Sequence, residues 1–134
     1  MICGESPNPV TTAAYAAQAR TSYARAGYTA WPWGAVCSGW TEKAAHTYNG
    51  PWNKQKGTPV LVVGNTFDPA TAYTSSRRAA AELGGRLLTV NGYGHTELLN
   101  PSTCARRHIA AYLVSGTLPP DGTTCAQDGT PFGD

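Results

Sequence analysis

The strongest constraint on the fold is a short apolar segment near the middle of the chain. Residues 58–64, TPVLVVG, carry four consecutive apolar residues between turn-forming residues. Because apolar and polar residues do not alternate here, the segment predicts a β-strand that is buried on both faces, as in a parallel sheet. A second apolar segment, residues 86–90, predicts a neighbouring strand.

Each predicted strand is followed by a turn and then by a helix. The turns are placed at residues 65–69 and 91–95, and the helices at residues 70–83 and 101–115. The order strand, turn, helix, strand, turn, helix predicts an α/β unit with a parallel sheet. Two parallel strands with flanking helices would leave both sheet edges unpaired, so we expect an incomplete sheet that is part of a larger fold.

The first part of the chain has a different character. Residues 10–26 predict a helix with Thr11 or Thr12 as its N-cap. Residues 28–57 combine proline and glycine with four tryptophans, at positions 31, 33, 40 and 52. We interpret this segment either as a packed lid or linker or as a substrate-contacting surface. The chain is therefore divided into a lid-like segment, residues 1–57, and a core segment, residues 58–134, with a tail from residue 116 that is predicted to be loop.

Composition excludes two classes of partner. Among 134 residues, ten basic and eight acidic side chains give a net charge of +2, with no dense basic patch. Binding to a phosphate backbone needs such a patch, so a nucleic-acid partner is not expected. No apolar run approaches the roughly 18 residues that a transmembrane helix needs, so no membrane span is predicted.

Four cysteines bear on the compartment in which the protein works. Cys3, Cys37, Cys104 and Cys125 form no C-x-x-C unit, so the spacing of a zinc or thioredoxin-type site is missing. An even number favours disulfides and an exported protein, with four unrelated thiols as the alternative. The first residues lack the basic and apolar regions of a signal peptide. We expect either a mature start or a start inside a longer protein.

Asp68 and His95 are the candidate catalytic residues. Each directly follows a predicted buried strand, and the two are 27 positions apart. The carboxyl ends of parallel strands meet at one sheet edge, so a carboxylate and an imidazole can form a hydrogen bond there. Such a carboxylate would fix the ring's tautomer and stabilise the imidazolium. Asp68 followed by Pro69 also has the residue order of an ordinary helix start.

Other polar residues are weaker candidates. Glu97 could bind a substrate amine, although a solvated turn residue is the alternative. His46 and His108 have no acid or cysteine at ligand spacing, and both are predicted to be surface residues. Ser38 lies in CSG, without the leading glycine and the preceding strand that a nucleophilic serine needs, so it is not assigned as a nucleophile.

Several segments together resemble the C-terminal region of the tripeptidyl-aminopeptidase-like α/β-hydrolases, over nearly the whole chain. The central ones are PVLVVGNTFDPAT (residues 59–71) and RLLTVNGYGHT (residues 86–96). The others are IC (2–3), CSGW (37–40), STC (102–104), YL (112–113), GTLP (116–119) and GTTC (122–125). Ala72 and Thr41 stand where this family often has proline, which loosens local turns without affecting the chemistry.

The resemblance implies a secreted serine peptidase or related hydrolase with an α/β-hydrolase fold. It implies that Asp68 and His95 complete a Ser-Asp-His triad, and that the disulfides are Cys3–Cys37 and Cys104–Cys125. The substrate would be a peptide or a small ester or amide, and no cofactor or metal is expected.

The nucleophile is missing from this pattern. No G-x-S-x-G occurs in the chain, whereas α/β-hydrolases place the serine in this motif, before the acid and the histidine. We therefore expect a C-terminal portion that is inactive alone and that works with a missing N-terminal hydrolase portion. The alternatives are a non-catalytic accessory or binding domain derived from a hydrolase, and one half of a split enzyme.

Overall fold

The computed structural model describes most of the 134 residues. These are residues 2–5, 8–27, 36–37, 39–54, 57–97 and 100–130. The chain forms two compact units, Met1–Tyr48 and Asn49–Asp134. Each unit is described by itself.

The first unit contains two helices, α1 (Ile2–Glu5) and α2 (Thr12–Ala26). The predicted N-cap is confirmed at Thr11, whose hydroxyl accepts a hydrogen bond from the N–H of Ala14. Gly27 ends α2 with a φ of +61°, a conformation that glycine adopts without steric cost. No residue of α2 is fully buried among those described, and Tyr15, Ala19 and Ser22, on one face of the helix, are partly buried.

A disulfide between Cys3 and Cys37 joins α1 to the segment that follows the undescribed residues, with a Cα–Cα distance of 5.1 Å. The N–H of Ala44 also donates to the carbonyl of Gly4, at 3.0 Å. The disulfide implied by the resemblance is thus confirmed, and the alternative of a free thiol at either position is wrong.

The tryptophans of the aromatic-rich segment are only partly described. Trp40, in the first unit, is 50% exposed, and Trp52, in the second, is 43% exposed. Neither is therefore enclosed in a core. Trp31, Trp33 and Ser38 lie outside the described residues.

The second unit contains a parallel sheet of three strands rather than two. Its strands are β1 (Leu61–Phe67), β2 (Arg86–Tyr93) and β3 (Thr124–Ala126), in the order β1-β2-β3. The third strand lies in the tail that was predicted to be loop. Its three residues pair with residues 89–91 of β2, a length too short for the sequence pattern to reveal.

Both predicted strands continue further than their apolar segments. Residues 65–67 belong to β1 and residues 91–93 to β2, so placing these positions in turns was wrong. The ladder register shifts between Asn65 and Phe67, as at a β-bulge. β1 therefore ends directly before Asp68, and β2 ends directly before Gly94.

Two helices, α3 (Tyr73–Leu83) and α4 (Thr103–Ser115), flank the sheet. The helix predicted from residue 70 begins three residues later, because residues 70–71 bind the preceding aspartate instead of starting a helical turn. Ser102 caps α4, and its hydroxyl also donates to the carbonyl of Ala126 in β3, at 2.6 Å. A short 3-10 helix (Trp52–Lys54) packs against α3.

The core of the second unit lies between β2, β3 and α4. Leu88, Val90, Ala105 and Cys125 are at most 2% exposed. The Cys104–Cys125 disulfide crosses this core with a Cα–Cα distance of 5.6 Å, which confirms the second implied bridge. The architecture is thus part of an α/β fold with an open parallel sheet.

None of the helices in the described part of the chain has the length and hydrophobicity that crossing a bilayer takes.

Candidate active site

The structure brings Asp68 and His95 together at the carboxyl edge of the sheet. Asp68 directly follows β1, and His95 lies two residues beyond β2. The ring nitrogen Nδ1 of His95 lies 3.0 Å from Oδ2 and 3.1 Å from Oδ1 of Asp68. The neutral ring must carry its proton on Nδ1 to donate here. The predicted contact between the two residues is therefore present.

Burial differs sharply between these two side chains. Asp68 is 7% exposed, whereas His95 is 47% exposed. The carboxylate is therefore enclosed, and the ring extends towards solvent. Among the described residues, Nε2 of His95 has no hydrogen-bond partner, so this nitrogen can exchange a proton with a reacting group.

Asp68 is held as a carboxylate by several donors. The N–H groups of Ala70 and Thr71 donate to Oδ1 at 2.8 and 2.9 Å, and the Thr71 hydroxyl donates to Oδ2 at 2.8 Å. Burial tends to raise the pKa of Asp68, but the hydrogen bonds from Thr71, Ala70 and His95 outweigh it and bring the pKa well below its ordinary value. Asp68 is therefore ionised at neutral pH.

These contacts also show that Asp68 does not start the following helix, which was the alternative to a catalytic role. The helix that follows begins at Tyr73, and its N-cap, Ala72, makes no side-chain capping bond. Asp68 thus closes a turn before the helix and is not its N-cap. The residue order Asp-Pro was compatible with either arrangement.

The turn that carries His95 is folded tightly against its neighbours. Gly94 has a φ of +103° and Thr96 a φ of +64°, so residues on both sides of His95 lie in the region that favours glycine. A Cβ atom at position 94 would overlap the side-chain amide of Asn100. Glycine at position 94 is therefore favoured both by its backbone conformation and by this close approach.

An open cavity of about 270 Å³ lies beside the two residues. Its lining includes Asp68, His95, Asn65, Thr71 and Glu97. The cavity is mixed in polarity and accessible from solvent, so a reacting group of another segment or of a substrate can reach Nε2 of His95.

Glu97 has a structural partner at this site. Its Oε1 accepts a hydrogen bond from the N–H of Ser102, at 3.1 Å, just before α4. The side chain is partly buried rather than a solvated turn residue. It anchors the segment between the His95 turn and the helix, and its proposed contact with a substrate amine stays a prediction.

The other two histidines lie away from this site. His46 is exposed in the first unit. His108 is partly buried, and its ring lies within 4.8 Å of the sulfur atoms of Cys104 and Cys125. The statement that no cysteine stands at ligand spacing was wrong, because Cys104 precedes His108 by one helical turn. The two sulfur atoms are bonded to each other, so they do not act as metal ligands here.

Sequence reasoning missed three residues of the site. Thr71 binds Asp68, Asn65 lines the cavity, and Asn100 contacts the His95 turn. The sequence contained a signal for two of them. A hydroxyl three residues after an aspartate is typical of a side-chain-closed turn, and an asparagine that continues an apolar strand indicates a buried polar contact.

Comparison with known proteins places the chain in a family. The family model described as TAP-like protein, an α/β-hydrolase family, matches residues 23–125. The serine protease Hip1 of Mycobacterium tuberculosis is 42% identical over 67 residues, which is 50% of this chain and 13% of that protein. Carboxylesterase B of the same organism is 35% identical over 91 residues, which is 68% of this chain and 17% of that protein.

The chain thus spans less than a fifth of the length of these curated relatives. The family match covers both candidate residues and three of the four cysteines, and the parallel sheet with its helices agrees with part of a hydrolase fold. This chain belongs to the TAP-like α/β-hydrolases and corresponds to their C-terminal region.

Proposed function

We propose that Asp68 and His95 are the acid and the base of a Ser-Asp-His triad in a secreted serine peptidase or related hydrolase. The observation that carries this proposal is the contact of His95 Nδ1 with both carboxylate oxygens of Asp68, at 3.0 and 3.1 Å, beside an open cavity. The hydrolase family to which the chain belongs supports a catalytic purpose for this contact.

In this mechanism His95 transfers one proton in each half of the reaction. Nε2 takes the proton of the serine hydroxyl as the serine oxygen attacks the substrate carbonyl, and gives it to the leaving amine or alcohol. Nε2 then takes a proton from water as the water oxygen attacks the acyl carbonyl, and gives it to the serine oxygen as the acyl–serine bond breaks. Asp68 keeps the ring in the Nδ1–H tautomer and stabilises the imidazolium while staying ionised.

The nucleophilic serine is proposed to lie upstream, in an N-terminal hydrolase portion outside this sequence. The support is the lack of G-x-S-x-G in the chain, together with the order of triad residues in α/β-hydrolases. This portion is the partner that the site requires. The chain by itself is accordingly expected to show no triad-based catalysis.

The substrate class is a peptide or a small ester or amide, with an aminopeptidase-like preference. One relative is named a serine protease and another a carboxylesterase, and both reactions pass through the same acyl-enzyme chemistry. The two disulfides support export from the cell, because disulfides persist in oxidising compartments.

The test uses a fluorophosphonate probe, which labels activated serines. The complete protein should be labelled, whereas this chain alone should not. In the complete protein, His95→Ala and Asp68→Asn should slow turnover by a factor on the order of 10⁴ or more. His46→Ala is the matched control, since it removes an exposed histidine of the other unit.

Three outcomes would contradict the proposal. The first is stoichiometric labelling of a serine in this chain alone, and the second is full activity of the His95→Ala variant. The third is a complete protein that is not labelled at all, which would favour the accessory-domain alternative. A free-amine peptide anilide, its N-acetylated form and a p-nitrophenyl ester then separate aminopeptidase, endopeptidase and esterase activity.

A further inference from the structure

Two asparagine side chains hold the turn that carries His95. Nδ2 of Asn65, on β1, donates to the carbonyl of Gly94 at 2.9 Å. Nδ2 of Asn100 donates to the carbonyl of Thr96 at 3.0 Å and to that of His95 at 3.4 Å. The carbonyls of three consecutive residues, 94–96, therefore each accept a hydrogen bond from an asparagine amide.

This turn needs such support because its backbone is strained. The positive φ of Thr96, +64°, costs about 1 kcal/mol or more in a residue with a branched side chain. Such a conformation persists only where surrounding contacts favour it over the relaxed one. Releasing the three carbonyls would let the turn relax and carry the His95 ring away from Asp68.

The burial of Asn65 indicates that its side-chain amide holds the His95 turn in place. The residue is 5% exposed, and its Oδ1 has no hydrogen-bond partner among the described residues. Burying an amide whose carbonyl oxygen has no hydrogen-bond partner is costly. An apolar residue at position 65 would avoid that cost but could not bind Gly94. The hydrogen bond to the turn therefore explains why an asparagine occupies this buried position.

Asn100 reaches the same turn from the segment before α4. Its side-chain amide packs directly on the Cα of Gly94, where any Cβ atom would overlap it. Nε2 of Gln127, one residue beyond β3, donates to Oδ1 of Asn100 at 3.5 Å, and Oε1 of Gln127 accepts from the N–H of Tyr93 at 2.9 Å. Gln127, just after β3, thus supports the His95 turn through Asn100.

We propose that Asn65 and Asn100 are positioning residues, which fix the His95 turn so that Nδ1 stays directed at Asp68. The inference rests on the proposed function, because positioning matters for catalysis only if His95 is the base. The side-chain amide of each asparagine binds backbone carbonyls of the His95 turn, so each acts through the orientation of the ring.

The test follows the His95 ring by ¹⁵N NMR of the imidazole nitrogens in this chain. The chain has only three histidines, so the His95→Ala variant assigns the signals. In its neutral form, the His95 ring should show the Nδ1–H tautomer in the unmodified chain. In Asn65→Ala and Asn100→Ala it should shift towards the Nε2–H tautomer that free histidine favours, as it should in Asp68→Ala.

Asn91→Ala is the matched control. This asparagine lies on β2, and its Oδ1 accepts from the hydroxyl of Thr66, at 3.0 Å, rather than binding the His95 turn. Its removal should leave the His95 tautomer unchanged. Amide spectra test whether each variant is folded. If Asn65→Ala does not fold, Asn100→Ala decides by itself.

The inference is overturned if a folded Asn65→Ala or Asn100→Ala chain keeps His95 in its original tautomer. In the complete enzyme, both variants should lower kcat by a factor on the order of 10–100 with little change in KM. Failure of the proposed function would give a different result, namely full activity of the His95→Ala variant. The NMR measurement needs no nucleophile, so the two failures are distinguishable.

Discussion

The hydroxyl of Thr71 donates a 2.8 Å hydrogen bond to Oδ2 of Asp68. The same oxygen lies 3.0 Å from Nδ1 of His95. A residue that sequence reasoning did not single out therefore shares an acceptor with the candidate base. Because this bond favours the ionised carboxylate, Thr71 helps to lower the pKa of Asp68 and to keep the negative charge that orients the ring.

Thr71→Val should raise the pKa of Asp68 towards its ordinary value. The substitution keeps the shape and the backbone N–H but removes the hydroxyl, one of the donors that lower this pKa. The side-chain ¹³C shift of Asp68 in an NMR titration measures the change. Thr103→Val is a matched control, because the Thr103 hydroxyl binds Asp128 in the same way, at 2.7 Å. A titration of Asp68 that does not move would show that the backbone donors suffice.

Stability should fall in acid through the protonation of Asp68. Its pKa is lower in the folded chain than in the unfolded one, so its contribution is complete above the ordinary value of about 4 and is lost as the pH falls towards the folded value. The difference in unfolding free energy between the unmodified chain and Asp68→Asn should be constant above about pH 5 and shrink below about pH 4.

Urea denaturation at several pH values measures this difference. Asp121→Asn controls for the loss of one negative charge, because the side chain of Asp121 is 95% exposed. A difference that stays constant down to pH 2 would contradict the expectation.

Replacing Cys104 and Cys125 by alanine should destabilise the second unit by about 3 kcal/mol, the value that loop-closure entropy gives for a loop of this length. The bridge closes a separation of 21 residues and ties β3 to α4. Amide exchange should show lost protection in β3 first, since that strand has only three residues. The Cys3/Cys37 double variant is the comparison, because its bridge lies in the other unit and should leave β3 protected.

Gly94→Ala should cost about 2 kcal/mol or more in unfolding free energy, and should displace His95. The φ of +103° disfavours any side chain, and the new Cβ would overlap the amide of Asn100. Gly116→Ala is a matched control, since Gly116 has a φ of +70° with nothing within 4 Å of a Cβ.

The control should cost only about 1 kcal/mol, the backbone contribution alone. Urea denaturation gives both free energies, and the difference between them contains the contact with Asn100 together with the less favourable φ at position 94. Equal costs would mean that Asn100 moves aside freely.

The sequence predicted the elements that have strong local signals. The uninterrupted apolar run before Gly64 predicted a strand of a parallel sheet, and the parallel pairing of β1 with β2 confirms it. The predicted burial on both faces is not seen, because residues 61–63 are only partly buried and β1 is an edge strand of the described sheet. The contact between Asp68 and His95 followed from topology alone, because neighbouring parallel strands end at one edge of a sheet. The cap at Thr11 belongs to the same class, since a hydroxyl before a helix is recognisable without any tertiary contact.

What escaped prediction depends on contacts between distant segments. The strand Thr124–Ala126 is formed by pairing with β2 and by a disulfide to α4, neither of which leaves a periodic pattern in three residues. The polar ends of β1 and β2 also looked like turns, since asparagine and glycine favour turns when no neighbouring strand binds them. Asn65 and Asn100 act across sequence separations of 29 and 5 residues, which local propensity does not encode.

The two outer strands of the described sheet differ greatly in length, and therefore in the number of backbone hydrogen bonds that they can form with a further strand. β1 has seven residues and β3 has three, so a further strand gains more backbone hydrogen bonds by adding beside β1. Asp68 stands at the end of that longer edge. A strand that extends the sheet along this edge would therefore lie close to the carboxylate of Asp68.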